Sequence, residues 1–234
     1  MDLSDTNPHF ASFKRAAARH VFQGKVGRKI KPWASKITND KDILCKLPSS
    51  QISRGRLAEL CESSDVPIES CFLAIMAWGG QRMDHARLAW DQRKDWTADL
   101  SHLRHKANLS RSEAYQVVKK LRTRGSLPGL RPGYFTKLVF FLCPKHDGYV
   151  MDQWIAKSVN LICGEALIKL DGDFVSDDNS PQVYEQFCQI IDTIGIALGF
   201  GGPEVEERLF SKGGTKPGEW RRYVKANWKL VFKQ

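Results

Sequence analysis

Apolar positions along this chain recur every three to four residues far more often than every second residue, which predicts helices and few strands. Phe10, Phe13, Ala17 and Val21 share one face of a helix over 10–22, with Lys14, Arg15 and Arg19 elsewhere on it. Gly24 and Gly27 break that pattern, and Pro32-Trp33 supplies an anchor to a core. Ser53 stands as N-cap to a helix through Leu57, Leu60 and Cys61. Pro67 then opens IESCFLAIMAW, apolar almost all round, which predicts a central buried helix ending at Gly79-Gly80. A polar loop, Gln81-Arg82-Met83, leads into an amphipathic helix carrying Ala86, Leu88, Ala89 and Trp90, and another helix is expected over 95–106. Ser110 and Glu113 have capping-box spacing at the head of a helix striped with Ala114, Val117, Val118 and Leu121. Pro132 suits the first position of PGYFTKLVFFLC, which Pro144 stops. Asp152 opens a helix with Ile155, Val159 and Ile162 on one face, ended by Gly164. Pro181 begins a long helix to Leu198, Pro203 begins a shorter one, and a basic aromatic tail, WRRYVKANWKLVF, follows. No internal repeat is present, and the fold class expected is all-α.

Charge sharpens this picture. The chain of 234 residues has a formal net charge of +10. Residues 1–125 hold 23 Lys and Arg against 13 Asp and Glu, whereas residues 126–234 hold 13 of each. Between Thr6 and Asn39 there are eight basic residues and no acid. Such a field attracts a polyanion, and nucleic acid is the commonest. A solubilising surface with a basic arm is the alternative. Residues 1–40 are therefore taken as a basic N-terminal arm and 41–234 as one helical domain of two lobes. No apolar run approaches the roughly 18 residues of a membrane helix, and MDLSDTNPHF lacks a secretion pattern, so a cytosolic protein is expected. The six cysteines form no CxxC pair and sit mostly among apolar neighbours, as reduced core thiols would. No cofactor or metal is expected. The tract KLDGDFVSDDNS lacks the Gly and Glu of a calcium loop at their required positions and is read as a surface loop.

Two side chains stand out as candidate chemistry. Lys137 is the one charge between Arg131 and Lys145. An ammonium is costly to bury, and a desolvated amine is a nucleophile able to form a Schiff base. The alternative is a lysine whose head reaches the surface. Asp152, fifteen residues on, caps its helix. A capping carboxylate can also be aimed at a substrate, and both roles stay open. The two side chains are expected to meet. The helix over 110–124, with Lys119, Lys120, Arg122 and Arg124 at its end, resembles a winged helix-turn-helix recognition helix, but Pro128, Gly129, Pro132 and Gly133 follow where a wing would start.

PGYFTK, an apolar helix, a short turn and MDQW together resemble the helix-hairpin-helix DNA glycosylases, and most nearly their 8-oxoguanine DNA glycosylase branch. Pro132, Gly133, Thr136, Lys137 and Asp152 match that pattern, and 68–90 resembles an earlier helix pair of the branch. The chain departs from it at Phe135, where a second Gly is usual, and in a shorter Lys–Asp spacing. The resemblance implies a two-lobed, all-α glycosylase that binds duplex DNA and flips a modified base into a pocket between the lobes. Asp152 and Lys137 would be catalytic. Gln81 and Arg82 would fill the gap left by the base. Gly129, Arg131 and Gly133, with Lys119 and Arg122, would contact the DNA. Gln153, Trp154, Phe210 and Trp220 are candidate pocket walls. No membrane and no obligate protein partner is expected. Two substrates follow from the likeness. One is 8-oxoguanine, with strand scission after base removal. The other, preferred here, is the glucosylated hydroxymethylcytosine of phage DNA, which bacterial anti-phage glycosylases resembling this chain remove. The rival of another class is a non-enzymatic DNA-binding protein using the helix at 110–124 or the hairpin alone.

Overall fold

A computed structural model describes residues 2–19, 27–143, 148–211 and 215–231. Among them are thirteen helices and one two-stranded sheet, so the protein is mainly helical, as the pattern predicts. The chain divides into two compact units, one of residues 1–23 with 149–234, the other of residues 24–148.

The unit of residues 24–148 is built on α5 (Ile68–Gly79), which packs against α2 (Ile30–Ala34), α3 (Lys41–Cys45), α4 (Arg54–Glu62), α7 (Arg93–His105) and α9 (Pro132–Leu142). Ten residues of α5 are buried, from Ile68 to Trp78, including Ser70, whose hydroxyl donates to the Ile43 carbonyl at 2.9 Å. A helix apolar all round is stable only in such a setting. Each large side chain it buries contributes about 1.5–3 kcal/mol. Phe72 stacks on Trp96 at 4.6 Å, and Trp78 meets Phe141 edge-on at 5.0 Å. Gly80 ends α5 at φ 74°, and the amphipathic α6 (Met83–Asp91) follows. Ser110 and Glu113 form the full capping box of α8 (Arg111–Thr123). After α8 the chain makes a turn rather than a winged hairpin, with Gly125 and Gly129 at φ 86° and 74°, and enters α9 at Pro132.

The other unit is organised around α10 (Gln153–Cys163), which touches α1 (Pro8–Arg19), α11 (Pro181–Leu198), α12 (Gly202–Phe210), α13 (Glu219–Val231) and a small hairpin. That hairpin pairs β1 (Leu170–Asp171) antiparallel with β2 (Phe174–Val175), so the acidic tract is more than a loop. Two side-chain amides brace it. Asn160 exchanges bonds with Ile168 at 2.8 and 2.9 Å, and Asn179 holds both the N–H and the carbonyl of Lys169 at 2.9 Å.

The stretch taken as a basic arm supplies α1 to one unit and α2 to the other. Phe10 and Phe13 of α1 are buried, Phe13 against Trp220 at 5.1 Å, while Lys14 and Arg19 lie exposed. Val21, Phe22, Gly24 and Lys25 lie outside the described residues, as do Pro144 and Lys145. The segment read as a tail is the helix α13, docked on α1, α10 and α12. No helix among the described residues is long and apolar enough to cross a membrane.

Candidate functional site

Asp152 belongs to the unit around α10. Its backbone is extended (φ −89°, ψ 170°), the geometry of an N-cap. Oδ1 accepts from the Trp154 N–H at 2.8 Å and the Ile155 N–H at 3.0 Å. Both bonds fall on one oxygen, and among the described residues Oδ2 takes no hydrogen bond. Asp152 is half-buried. The capping role and an available carboxylate oxygen therefore coexist.

Around it stands a set of groups that sequence reasoning only partly named. With its amide oriented by its partners, Gln153 donates to the Asp173 carbonyl at 2.5 Å and accepts from Trp154 Nε1 at 3.2 Å. The Arg221 guanidinium lies over the Trp154 ring at 4.1 Å and over the Phe210 ring at 4.7 Å. Lys157 Nζ and Lys225 Nζ sit 5.1 and 5.6 Å from the same indole. Lys157, buried on α10, pairs with Asp173 of the hairpin turn at 2.6 Å. Thus three of the four expected wall residues, Gln153, Trp154 and Phe210, fall in one cluster. Trp220 falls behind it in the core, where Nε1 donates to Ser158 Oγ at 2.9 Å and the ring stacks on Tyr223 at 5.3 Å.

Arg221, Lys157, Lys225 and Asp173 were missed. Arg221 did carry a signal, because with Val224 and Trp228 it occupies i, i+3 and i+7 positions, the inward stripe of α13. Asp173 carried little, since a strand pair of two residues each is too short to show alternation.

Lys137 belongs to the other unit, on α9. It is 5% exposed. Its Nζ donates to the Gly133 carbonyl one turn back and lies 4.5 Å from the Tyr134 ring centroid. The stem crosses Gly79 so closely that a Cβ there would lie 2.8 Å from Lys137 Cδ and 3.0 Å from Cε. The lysine is neither extended to solvent nor buried without an acceptor. Phe135, standing where a hairpin Gly is usual, is buried in the core against Tyr115 at 5.3 Å.

The GGQR loop divides in two. Arg82 is exposed and pairs with Asp84 at 2.7 Å, which holds the Asp84 carboxyl below its ordinary value. Gln81 is wholly buried and donates to the Gly129 carbonyl at 3.3 Å. It braces the hairpin from beneath, where the sequence reading had it projecting. Gly129 needs its positive φ, and a Cβ there would also lie 3.0 Å from that of His85. Arg131 is exposed, Gly133 is half-buried within α9, and Lys119 and Arg122 are half-buried on α8.

No curated protein and no solved structure matches the chain. A family described as "Putative 8-oxoguanine DNA glycosylase OGG-like protein" matches over residues 19–210. That span takes in the hairpin, Lys137, Asp152 and the hairpin strands, and leaves out most of α1 and all of α13. Covering most of the sequence, it shows that the chain belongs to this OGG-like DNA glycosylase family.

Proposed function

We propose that this glycosylase removes a modified base from duplex DNA with Asp152 as its catalytic carboxylate. The observation that carries the reading is the division of labour on Asp152, whose Oδ1 is held by two backbone N–H groups and whose Oδ2 has no hydrogen-bond partner among the described residues. As the C1′–N bond breaks, its electron pair leaves with the base and positive charge grows on the sugar. A carboxylate held at that charge lowers the barrier, and removing such a group costs about 10²–10³ in rate. In the hydrolytic course water adds to C1′, its proton passes to the carboxylate, and the departing base takes up a proton. The products are a free base and an abasic site.

The substrate is proposed to be the glucosylated hydroxymethylcytosine of phage DNA, in a defensive role. Support comes from the hydrogen-bonding groups beside Asp152, namely Gln153, Asp173, Lys157 and Lys225, which suit a hydroxyl-rich substituent better than a bare purine. Phage DNA with and without the glucosyl group, and a duplex bearing 8-oxoguanine, are incubated with the protein and treated with alkali. Alkali-labile sites are expected in the glucosylated DNA. Scission confined to the 8-oxoguanine duplex assigns the repair reaction in its place. No abasic site in any of them leaves a non-enzymatic DNA-binding protein.

Lys137 is proposed as the nucleophile of a lyase step. Its neutral amine would displace the base at C1′, the proton lost from nitrogen passing to the departing base, and opening of the C1′–O4′ bond with proton transfer to the ring oxygen would give the imine that permits elimination of the 3′ phosphate. Borohydride should then trap a covalent complex that Lys137→Met abolishes. Tm measured beside it separates loss of the amine from loss of the fold, since methionine keeps an apolar stem of similar length in place. Gly79→Ala should push the lysine stem aside, cutting trapping about tenfold with base release retained. Equal trapping by Lys137→Met would assign the nucleophile elsewhere.

A further inference from the structure

Arg221 is a buried cation of the Asp152 cluster whose placement the Asp152 cap does not require. Its side chain is desolvated, at 5% exposure, yet it makes no contact ion pair among the described residues. Its hydrogen bonds go to backbone carbonyls. Nε donates to Phe210 O at 3.0 Å, and Nη2 donates to Phe210 O and to Ser211 O, the latter at 3.2 Å. Ser211 is itself unusual, a non-glycine at φ 52° and ψ 167°. Such backbone typically costs on the order of 1–3 kcal/mol. The guanidinium lies over both the Trp154 and the Phe210 rings, at 4.1 and 4.7 Å. Burial pulls its pKa down to about 10, and the charge on Asp152 opposes that fall. It stays protonated at neutral pH, facing the carboxylate's field without closing a salt bridge that would occupy Oδ2.

Pinning the end of α12 would explain the carbonyl bonds alone. It would not explain the stacking on Trp154, whose backbone N–H is one of the two that hold Asp152 Oδ1. We propose that Arg221 is a positioning residue of the glycosylase site, clamping Trp154 and with it the first turn of α10, and setting a fixed positive charge opposite the Asp152 carboxylate. The proposal rests on the reading of Asp152 as the catalytic carboxylate. Other charged groups bear on the same turn. Lys157 and Asp173 are paired with each other, Lys225 lies over the indole from α13, and Glu206 on α12 accepts from the Val150 N–H at 2.9 Å. Lys157 is also buried over the indole, but Asp173 neutralises it, whereas Arg221 makes no contact ion pair among the described residues.

The test uses the full chain on whichever duplex the wild type cleaves. Single-turnover rate is measured against pH for Arg221→Gln and Arg221→Lys, with duplex Kd and Tm alongside. Glutamine keeps a donor for the carbonyls and removes the charge. It should lower the plateau rate about 10²-fold and move the acid-side midpoint of the rate profile up by about one pH unit, with Kd within about threefold. Lysine should restore the midpoint and only part of the rate, since an ammonium lacks the flat fork that stacks on the rings and holds the carbonyls together. An unmoved midpoint in Arg221→Gln overturns the proposal, as does an equal loss of rate in both variants tracking an equal loss of Tm. If Arg221→Gln does not fold, Arg221→Lys decides alone, and a wild-type rate in it sinks the clamp. Asp152→Asn separates the two readings. Full activity in Asp152→Asn removes the catalytic assignment itself, whereas an inactive Asp152→Asn beside an unmoved Arg221→Gln midpoint removes only the role of Arg221.

Discussion

Asp152→Asn is expected to abolish base release while leaving the fold untouched, and this pairing of outcomes distinguishes catalysis from capping. Asn is about as good an N-cap as Asp, so its side-chain oxygen can still accept from the Trp154 and Ile155 N–H groups. Stability should therefore change by less than about 0.5 kcal/mol. The charge proposed to meet the developing positive centre on the sugar is gone, and the single-turnover rate should fall by about 10²–10³-fold. Asp152→Ala supplies the contrast. It should lose the same rate and also about 1 kcal/mol of stability, because the first turn of α10 then has two unsatisfied N–H groups. If Asp152→Asn cleaves as well as wild type, Asp152 is a cap only. If both variants lose rate merely in proportion to lost Tm, its contribution is structural. Thermal melts and alkali-revealed cleavage of one duplex, run on the three proteins, are enough to decide.

The features legible in the sequence were those that act within one or two turns. Ser110 with Glu113, Ser53, Asp152, and the prolines at 132, 181 and 203 each do their work through the nearest backbone N–H groups or through their own φ, and each appears in the structure at or next to the helix start it predicts. Gly164 and Gly199 end helices at φ 72° for the same local reason. What escaped depends on partners far along the chain. Gln81 reads as exposed because it is polar and follows Gly-Gly, yet its burial rests on a carbonyl 48 residues away. The basic tail is a helix because Phe13, 207 residues before it, packs on Trp220. Asp173 belongs with Gln153 and Lys157 through a hairpin whose strands are too short to announce themselves. Half of the candidate site was consequently visible, in Asp152, Gln153, Trp154 and Phe210. The other half, Arg221, Lys157, Lys225 and Asp173, came only with the packing of α13 and the hairpin against α10.

The largest loss of stability is expected at Gly202, which no sequence motif marks. It is the first residue of α12, and a Cβ built on it would lie 1.7 Å from Tyr149 Oη and 2.3 Å from Cζ. The ring cannot step aside cheaply, because it is tied at both ends. Its hydroxyl donates to Asp192 Oδ1 at 2.6 Å, and its carbonyl accepts from the Tyr184 hydroxyl at 2.9 Å. Gly202→Ala must therefore break the Asp192 bond or displace the start of α12, and overpacking of that kind costs about 1–3 kcal/mol with the lost hydrogen bond to a charged group adding about 1.5–3. A fall of about 3–5 kcal/mol by urea denaturation follows. Tyr149 stands three residues before Asp152, and Glu206 of the same α12 holds the Val150 N–H between them. Displacing α12 should thus reach the Asp152 carboxylate, and any folded Gly202→Ala protein should also cleave more slowly. A double-mutant cycle with Tyr149→Ala isolates the cause. If the clash is the mechanism, Gly202→Ala should cost under about 1 kcal/mol once the ring is gone, a coupling of several kcal/mol between adjacent side chains. Additive losses would mean that Gly202 is needed for the entry of the chain into α12 and not for the room it gives Tyr149.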